Sequence, residues 1–527
     1  MKNIIILLLA MMLTTSCKKF LEEVPRDEIS SGQYFKQPDH AVNAVNALYR
    51  AGAPQFYEAN SGAYSGSRMM FGPYLSGYID NEFKGQEIHV QYAQNMSFNG
   101  DNLSSYLQSM WSNIYTGIAR ANNAIKYIPT TPGVSEVQAK QLSAEAKFFR
   151  AYGYFHLVRL FGGVPLITEP YENQDNVAVK RNTVEEVYNL ITADLEYAVN
   201  EGGLSTNAMV NNAGRITKGA AATLLADVYL TMSGFPLNKD MSVKAATNAR
   251  LVINSGVYQL TPHERSNGEV VLTNTAYNKL RVADNSALEN IYYYEFAEGI
   301  ATSTYSAWAF PATAASDTKF AVTLNAYAPT AKFLQGYNQT EDLRAQEKQF
   351  FHSSLTRSNS TIFNFAKAPY MWLNDAAAFS TGSSGKDLPI YTYADPLLIA
   401  AESIALSEGV TADAVNYLSQ VKERAYWKTD LTVLKSQLAL LSKADFIKEV
   451  WRERYRELVF EGRIWFDIQR TRLFPVPVGD GTGNILFEPV IGHANNAGAI
   501  IQEKNLLLPI ASDELQRNAN LVQNPGY

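Results

Sequence analysis

The fold class is decided by a stretch that reads Ala144-Glu-Ala-Lys-Phe-Phe-Arg-Ala-Tyr152 and continues shortly afterwards as Leu160-Phe-Gly-Gly-Val-Pro-Leu166. The stretch belongs to an Ala-, Phe- and Tyr-rich run over residues 137–161. Gly162, Gly163 and Pro165 follow this run, and residues of these types end helices. The run therefore predicts one long helix, whose partner is an amphipathic segment that precedes it.

That preceding segment places Leu107, Trp111, Ile114, Ile118 and Ile125 at helical spacing, which is typical of an amphipathic helix. A later segment opens with Thr and Glu in capping-box spacing at positions 183 and 186. Patterns of this kind predict helices over residues 40–50, 107–125, 183–199, 217–232, 243–255, 394–406, 412–424 and 443–470.

Small residues at the expected helix contacts, together with repeated Tyr, favour tetratricopeptide-like packing, although no regular repeat of about 34 residues is present. We predict a mainly α fold, in which a tetratricopeptide-like scaffold of helical pairs spans about 32–54, 101–255 and 390–527 of a single domain, 32–527. Two long irregular inserts with small β elements, 55–100 and 256–389, interrupt the scaffold. Such long loops in a compact chain are usually functional.

Composition narrows the classes of function. The chain has 527 residues, a formal net charge of -6 and 18% charged residues, so it lacks the basic surface that nucleic acid requires. Aromatic residues make up 12%, and 31 of them are Tyr, which combines a flat apolar face with a polar tip. This composition suits a ligand that is both ringed and hydroxylated, but any single Tyr is more often part of a helix contact.

The N-terminus has the form of a secretion signal. A basic start is followed by an apolar run at 4–13, three small residues and Cys17, which is the single cysteine of the chain. The apolar run is shorter than the roughly 20 residues of a membrane-spanning helix. We predict a lipoprotein signal peptide at 1–16, lipidation of Cys17 and a stem over 17–31; the alternative is an ordinary secretory signal.

Motifs for catalysis or for a metal site are missing from the sequence. The six His are scattered without metal-ligand spacing, and no Gly-x-Ser-x-Gly elbow occurs. The glycine cluster at 479–483 is interpreted as a turn, and the Glu- and Arg-rich helix near the C-terminus as structural. We therefore predict no metal and no cofactor. A pair of glycosidase carboxylates stays open, because its separation is not readable from sequence.

Several blocks carry a family resemblance. In chain order they are Cys17 to Pro25, Ala144 to Tyr152, Leu160 to Leu166, Arg215 to Ala221, Ala226 to Leu230, Glu453 to Arg463, Leu508 to Ile510 and Gln523 to Tyr527. Together they resemble the SusD/RagB family of outer-membrane lipoproteins. The resemblance implies a surface-exposed, lipid-anchored, non-catalytic protein of the cell outer membrane. Such a protein captures oligosaccharide and delivers it to a SusC-like TonB-dependent transporter.

Within that expectation, the sugar would stack on aromatic rings and form hydrogen bonds with polar side chains of the inserts. The residues we select are the platforms Tyr74, Tyr78, Tyr92, Trp308 and Trp372 and the hydroxyl partners Asp80 and Asn81. Two alternatives remain open: a surface glycoside hydrolase, and a transporter lid or scaffold that handles peptides or other non-sugar nutrients.

Overall fold

The computed structural model describes residues 34–56, 71–171, 178–356 and 360–527. The predicted signal peptide 1–16, the lipidation site Cys17 and the stem 17–31 lie outside these residues. None of the described helices is both long and apolar enough to cross a membrane.

The N-terminal half of the chain is mainly helical, as predicted, but two short helices also lie within the 55–100 insert, which was expected to be irregular. Its helices are α1 (Pro38–Asn46), α2 (Phe71–Ser76), α3 (Ile88–Gln94), α4 (Ser104–Tyr127), α5 (Glu136–Phe161), α6 (Val184–Asn200), α7 (Lys218–Ser233) and α8 (Ser242–Ile253). The long helix α5 begins where the Ser135 hydroxyl accepts a hydrogen bond from the Gln138 N–H, and it ends at Gly162 with a φ of 75°. Helix α6 has the predicted capping box between Thr183 and Glu186.

The middle of the chain contains short helices and strands. They are α9 (Ala276–Ala283), α10 (Tyr305–Trp308), α11 (Ala331–Leu334), β1 (Ile79–Asp80), β2 (Arg265–Ser266), β3 (Glu269–Val270), β4 (Asn290–Tyr294), β5 (Ala328–Pro329), β6 (Phe351–Thr356), β7 (Ile362–Pro369) and β8 (Leu388–Thr392). These strands form antiparallel, two-stranded sheets: β1 with β5, β2 with β3, β4 with β8 and β6 with β7. The β-like run predicted at 291–296 corresponds to β4.

The C-terminal part returns to helices. They are α12 (Ala394–Ser407), α13 (Ala412–Ala425), α14 (Leu431–Ala439), α15 (Lys443–Glu457), α16 (Ile464–Thr471) and α17 (Ser512–Arg517), with the hairpin of β9 (Leu473–Pro477) and β10 (Ile485–Pro489) after α16. The glycine cluster at 479–483 is the turn of this hairpin, as predicted. The single helix predicted over 443–470 is wrong: it breaks after Glu457, and Gly462 in the intervening turn has a φ of 67°.

Sequential helices pack as neighbours: α4 on α5, α5 on α6, α6 on α7, α7 on α8 and α12 on α13, while α8 also packs on α12. Small residues allow close contact there, because Ala221 of α7, Ala245 of α8 and Ala401 of α12 are fully buried. The observed scaffold is mainly helical with small strands in its inserts, which confirms the predicted fold class.

A second, smaller hydrophobic cluster lies within the residue 256–389 insert, and it surrounds a buried histidine. The ring of His352 lies 5.5 Å from that of Phe310, 5.0 Å from Phe365 and 5.2 Å from Tyr370. In the described part of the chain, neither ring nitrogen of His352 has a hydrogen-bond partner. Burial lowers the pKa of His352 to about 4, so the ring is neutral at pH 7.

Candidate ligand-binding site at the insert seam

The two inserts meet along a short antiparallel pairing, which we call the insert seam: residues 79–84 against 325–329, together with 308–312. Ile79 pairs with Pro329 and Asp80 with Ala328. One step further, the Glu82 N–H donates to the Asn325 carbonyl oxygen at 3.3 Å, and Asn325 Nδ2 donates to Glu82 Oε1 at 2.8 Å. Segments more than 200 residues apart in sequence thus form one continuous surface.

Tyr74 and Tyr78 attach the first insert to its surroundings. Both are buried. The Tyr74 hydroxyl donates to the Ala326 carbonyl oxygen at 2.5 Å, and the Tyr78 hydroxyl donates to the Pro475 carbonyl oxygen. The Tyr78 ring also packs at 5.5 Å from the ring of Phe474. In this structure both rings form protein contacts on all sides, so neither presents a face to a ligand.

Asn81 and Trp372 are also buried beneath the seam. Asn81 Nδ2 donates to Glu87 Oε2 at 2.6 Å, and its Oδ1 accepts from the Phe83 N–H at 2.8 Å. The Trp372 ring lies 5.0 Å from the ring of Tyr327. Together with several charged side chains it lines a cavity of about 70 Å³, which is too small for a sugar ring. These two side chains, like Tyr74 and Tyr78, are buried and pack against the seam from the protein interior.

Asp80 lies at the surface of the seam, where its side chain is 38% exposed. Its carboxylate accepts from Lys84 Nζ at 3.0 Å, Gln94 Nε2 at 2.9 Å and the Asn81 N–H at 2.8 Å. Partial burial opposes ionisation, but the hydrogen bonds from Gln94, Asn81 and Lys84 outweigh it and lower the pKa of Asp80. The group is therefore an anionic hydrogen-bond acceptor at neutral pH, next to the ammonium of Lys84.

Tyr92 and Trp308 are the two predicted platforms that are only half-buried. Tyr92 lies on α3. Two residues that flank it in sequence bind the 80–84 loop: Gln91 donates to the Lys84 carbonyl oxygen at 2.7 Å, and Gln94 donates to the Asp80 carboxylate. Trp308 ends α10, and its carbonyl oxygen accepts from the Ala326 N–H at 2.8 Å. Trp308 therefore lies within the seam, and Tyr92 lies on a helix that contacts the seam.

Sequence reasoning missed the acid that lies beneath these residues. Glu87 is buried, its Oε2 accepts from Asn81, and its Oε1 has no hydrogen-bond partner among the described groups. Burial raises the pKa of Glu87 to about 7. The local sequence gave no signal for this burial, because acids in loops are usually solvated.

A buried charge cluster fixes the second insert to the scaffold. Arg344, which is fully buried, donates from Nη1 to Glu453 at 2.7 Å and to Glu457 at 2.6 Å, both on α15. Its Nε and Nη2 donate to the two oxygens of Asp342 at 2.9 and 2.8 Å. Glu457 also accepts from Arg424 of α13 at 2.5 Å. The charges of α15 are thus structural, as predicted, and act mostly between elements rather than along one helix face.

Within residues 34–56, 71–171, 178–356 and 360–527, no group of three or more His, Cys, Asp or Glu side chains has an arrangement that could hold a metal ion. The seam and the adjoining helix α3 offer a ligand two partly exposed rings, one carboxylate with lowered pKa and one ammonium. Such a set can stack on an apolar ring face and exchange hydrogen bonds with hydroxyls.

Comparison with known proteins assigns the family. Residues 54–230 match the family described as starch-binding and associating with the outer membrane, and residues 235–527 match the SusD family. The chain is 27% identical to SusD-like protein P2 of Formosa agariphila, with full coverage of both chains.

Solved structures agree with this assignment. A SusD superfamily protein from Parabacteroides distasonis is 26% identical with a TM-score of 0.78, covering 93% of this chain and 99% of its own. Surface glycan-binding protein A from Bacteroides fluxus has the same fold at 20% identity and a TM-score of 0.69, covering 93% of this chain and 100% of its own. Because the SusD model alone spans more than half of the sequence, the chain belongs to the SusD family.

Proposed function

We propose that this protein is a non-catalytic, cell-surface glycan-binding lipoprotein that captures oligosaccharide and delivers it to a SusC-like TonB-dependent transporter. The observation that carries the proposal is the surface formed by the insert seam and the adjoining helix α3, which includes the half-buried residues Trp308 and Tyr92 and the partly exposed carboxylate of Asp80. Family membership supports it, as does the likeness in fold to a protein named for surface glycan binding.

The chemistry of a sugar matches this surface. The C–H face of a pyranose packs on an aromatic ring, while its hydroxyls donate to a carboxylate and accept from an ammonium. In the proposal, Trp308 and Tyr92 supply the aromatic rings. Asp80 supplies the carboxylate, and Lys84 supplies the ammonium. Such capture involves no proton transfer and no metal ion.

The pKa values at the seam favour capture over hydrolysis. A glycosidase needs a general acid whose pKa is raised, placed across a cleft from a second carboxylate. Asp80 has a lowered pKa, and Glu82 accepts a hydrogen bond from Asn325. Glu87 does have a raised pKa, but it is only 1% exposed and so cannot reach a glycosidic oxygen.

Family membership and the N-terminal sequence support the proposed lipid anchor and transporter partner. In the proposal, a diacylglycerol on Cys17 tethers the mature chain to the outer membrane, and the helical scaffold packs against the transporter. A role as a lid or scaffold for peptides would use the same anchor, and it differs in requiring no affinity for sugars.

The test is a calorimetric screen of the soluble chain from Lys18 onward against plant, host and microbial glycans, with an assay for new reducing ends in each mixture. Binding at micromolar to millimolar dissociation constants without new reducing ends is the expected result. Release of reducing ends would establish the hydrolase instead. Affinity for peptides and for no glycan would establish the lid.

A further inference from the structure

A large cavity lies away from the insert seam, at the C-terminal end of α5. Its volume is about 650 Å³, within the roughly 300–1,000 Å³ range of small-molecule sites. Helices α5, α6, α7 and α16 and the C-terminal segment line it, mainly through the apolar side chains of Val158, Val184, Phe235, Phe466, Leu506 and Leu507. None of the residues of the seam contributes to this cavity.

One lining residue carries a charge that no acid of the described residues neutralises. Arg159 is only 7% exposed, and its guanidinium carbon lies 3.6 Å from the ring centre of Phe155 and 4.0 Å from that of Phe466. Its Nε donates to the Phe155 carbonyl oxygen at 3.1 Å. Across the described ranges, no carboxylate lies within ion-pair distance of Arg159. The two rings offset part of the cost of burying this charge, but no anionic partner is present in the part of the chain that the structure describes.

The other charges at the cavity are already balanced or lie at its edge. Arg470 donates to both oxygens of Glu402, at 2.5 and 2.8 Å, and Glu503 is bound by Arg472. Lys504 is half-exposed, and its Nζ lies 5.4 Å from the ring centre of Tyr527. The cavity therefore has an excess of positive charge next to apolar walls.

We propose that this cavity binds an amphipathic carboxylate: a molecule with an apolar body that packs on the cavity walls and one carboxylate that pairs with the Arg159 guanidinium. A guanidinium binds a carboxylate through two parallel hydrogen bonds, which fits an Arg whose hydrogen bonding to the described residues uses Nε alone. A bare oligosaccharide does not fit, because the apolar walls would leave most of its hydroxyls without partners. Fatty acids and aromatic acids share the required chemistry.

The experiment compares acids with the matching alcohols on the soluble chain from Lys18 onward. The probes are octanoate against octan-1-ol, and 3-phenylpropanoate against 3-phenylpropan-1-ol, measured by calorimetry. We expect at least one acid to bind at least tenfold more tightly than its alcohol. The acid with the larger preference identifies the aliphatic or the aromatic body. Equal affinity of acid and alcohol, or no binding of either acid at millimolar concentration, would overturn the proposal.

Substitutions locate the binding in the cavity. Arg159→Gln should reduce acid affinity at least tenfold and leave alcohol affinity within twofold, whereas Arg159→Lys should keep a preference for the acid. The control Arg517→Gln removes an exposed Arg paired with Glu514 and should change neither affinity. Because Arg159→Gln can fail to fold, Leu507→Trp provides a second test: by narrowing the cavity it should weaken acid and alcohol together. Acid binding that survives Leu507→Trp unchanged would place it elsewhere and contradict the proposal.

Discussion

Replacing Arg344 by Gln should destabilise the protein strongly, because this side chain joins the second insert to the scaffold inside the core. Arg344 is 0% exposed and makes its hydrogen bonds to three acids, Asp342, Glu453 and Glu457. The substitution leaves three buried carboxylates with one cation fewer. Removing one partner of a buried ion pair costs about 3–5 kcal/mol, and the shared position of Arg344 argues for the upper end.

The assay is urea unfolding of the soluble chain, followed by tryptophan fluorescence and circular dichroism. The matched control is Arg250→Gln, because Arg250 also bridges two acids, Glu408 at 2.9 Å and Asp413 at 3.2 Å, but these acids are 44% and 61% exposed. Exposed pairs contribute about 0–1 kcal/mol, so the control should lie close to the unchanged protein. A loss for Arg344→Gln below about 1 kcal/mol, or one equal to that of the control, would refute the reasoning.

Three further predictions concern buried groups. His352 has a pKa lowered from 6.5 to about 4, so the unfolded chain takes up a proton at this residue before the folded protein does, and the free energy of unfolding falls as the pH drops from 6.5 to 4. His352→Leu removes this proton uptake. Thermal unfolding at pH 7 and pH 4.5 should therefore show that the variant loses less stability in acid than the unchanged protein, by up to about 3 kcal/mol. Glu87 has a pKa raised from 4.5 to about 7, so ionisation of this carboxyl destabilises the fold as the pH rises through this range. Glu87→Gln should raise the free energy of unfolding by up to about 3 kcal/mol at pH 8 and have little effect at pH 4. Equal effects at both pH values would contradict the raised pKa. Gly117→Ala should destabilise by about 1–3 kcal/mol, because the added Cβ would lie 2.4 Å from Gly52 Cα, whereas Gly85→Ala, which meets nothing within 4 Å, should not.

The helical scaffold was predictable because its signals are local. The spacing of apolar residues, the capping box at Thr183 and the glycines after α5 each act within a few residues of the element that they specify. The break between α15 and α16 was not predictable in this way, since the same charged pattern runs through both helices. What distinguishes them is the turn at Gly462 and the pairing of Glu453 and Glu457 with distant partners.

For the candidate site, the binding role of the selected residues stays a prediction, and sequence reasoning could not distinguish the buried residues from the partly exposed ones. Two of the predicted platforms, Tyr74 and Trp308, lie where the inserts meet, because both form hydrogen bonds with the backbone of Ala326. However, a Tyr or Trp in an irregular segment is equally suited to a core and to a binding face. Whether Tyr74 is buried depends on a carbonyl oxygen 252 residues further along the chain, and no local pattern records such a partner.

The central claim, glycan capture at the insert seam, is tested most directly by the affinity of Trp308→Ala for whichever glycan the unchanged protein binds. Trp427→Ala is the matched control, because Trp427 is likewise half-buried but lies on the scaffold after α13. Loss of a stacking ring should cost about 1.5–3 kcal/mol, so we expect a tenfold or larger loss for Trp308→Ala and an unchanged affinity for the control. Unchanged glycan binding in Trp308→Ala, with both variants folded, would contradict the account.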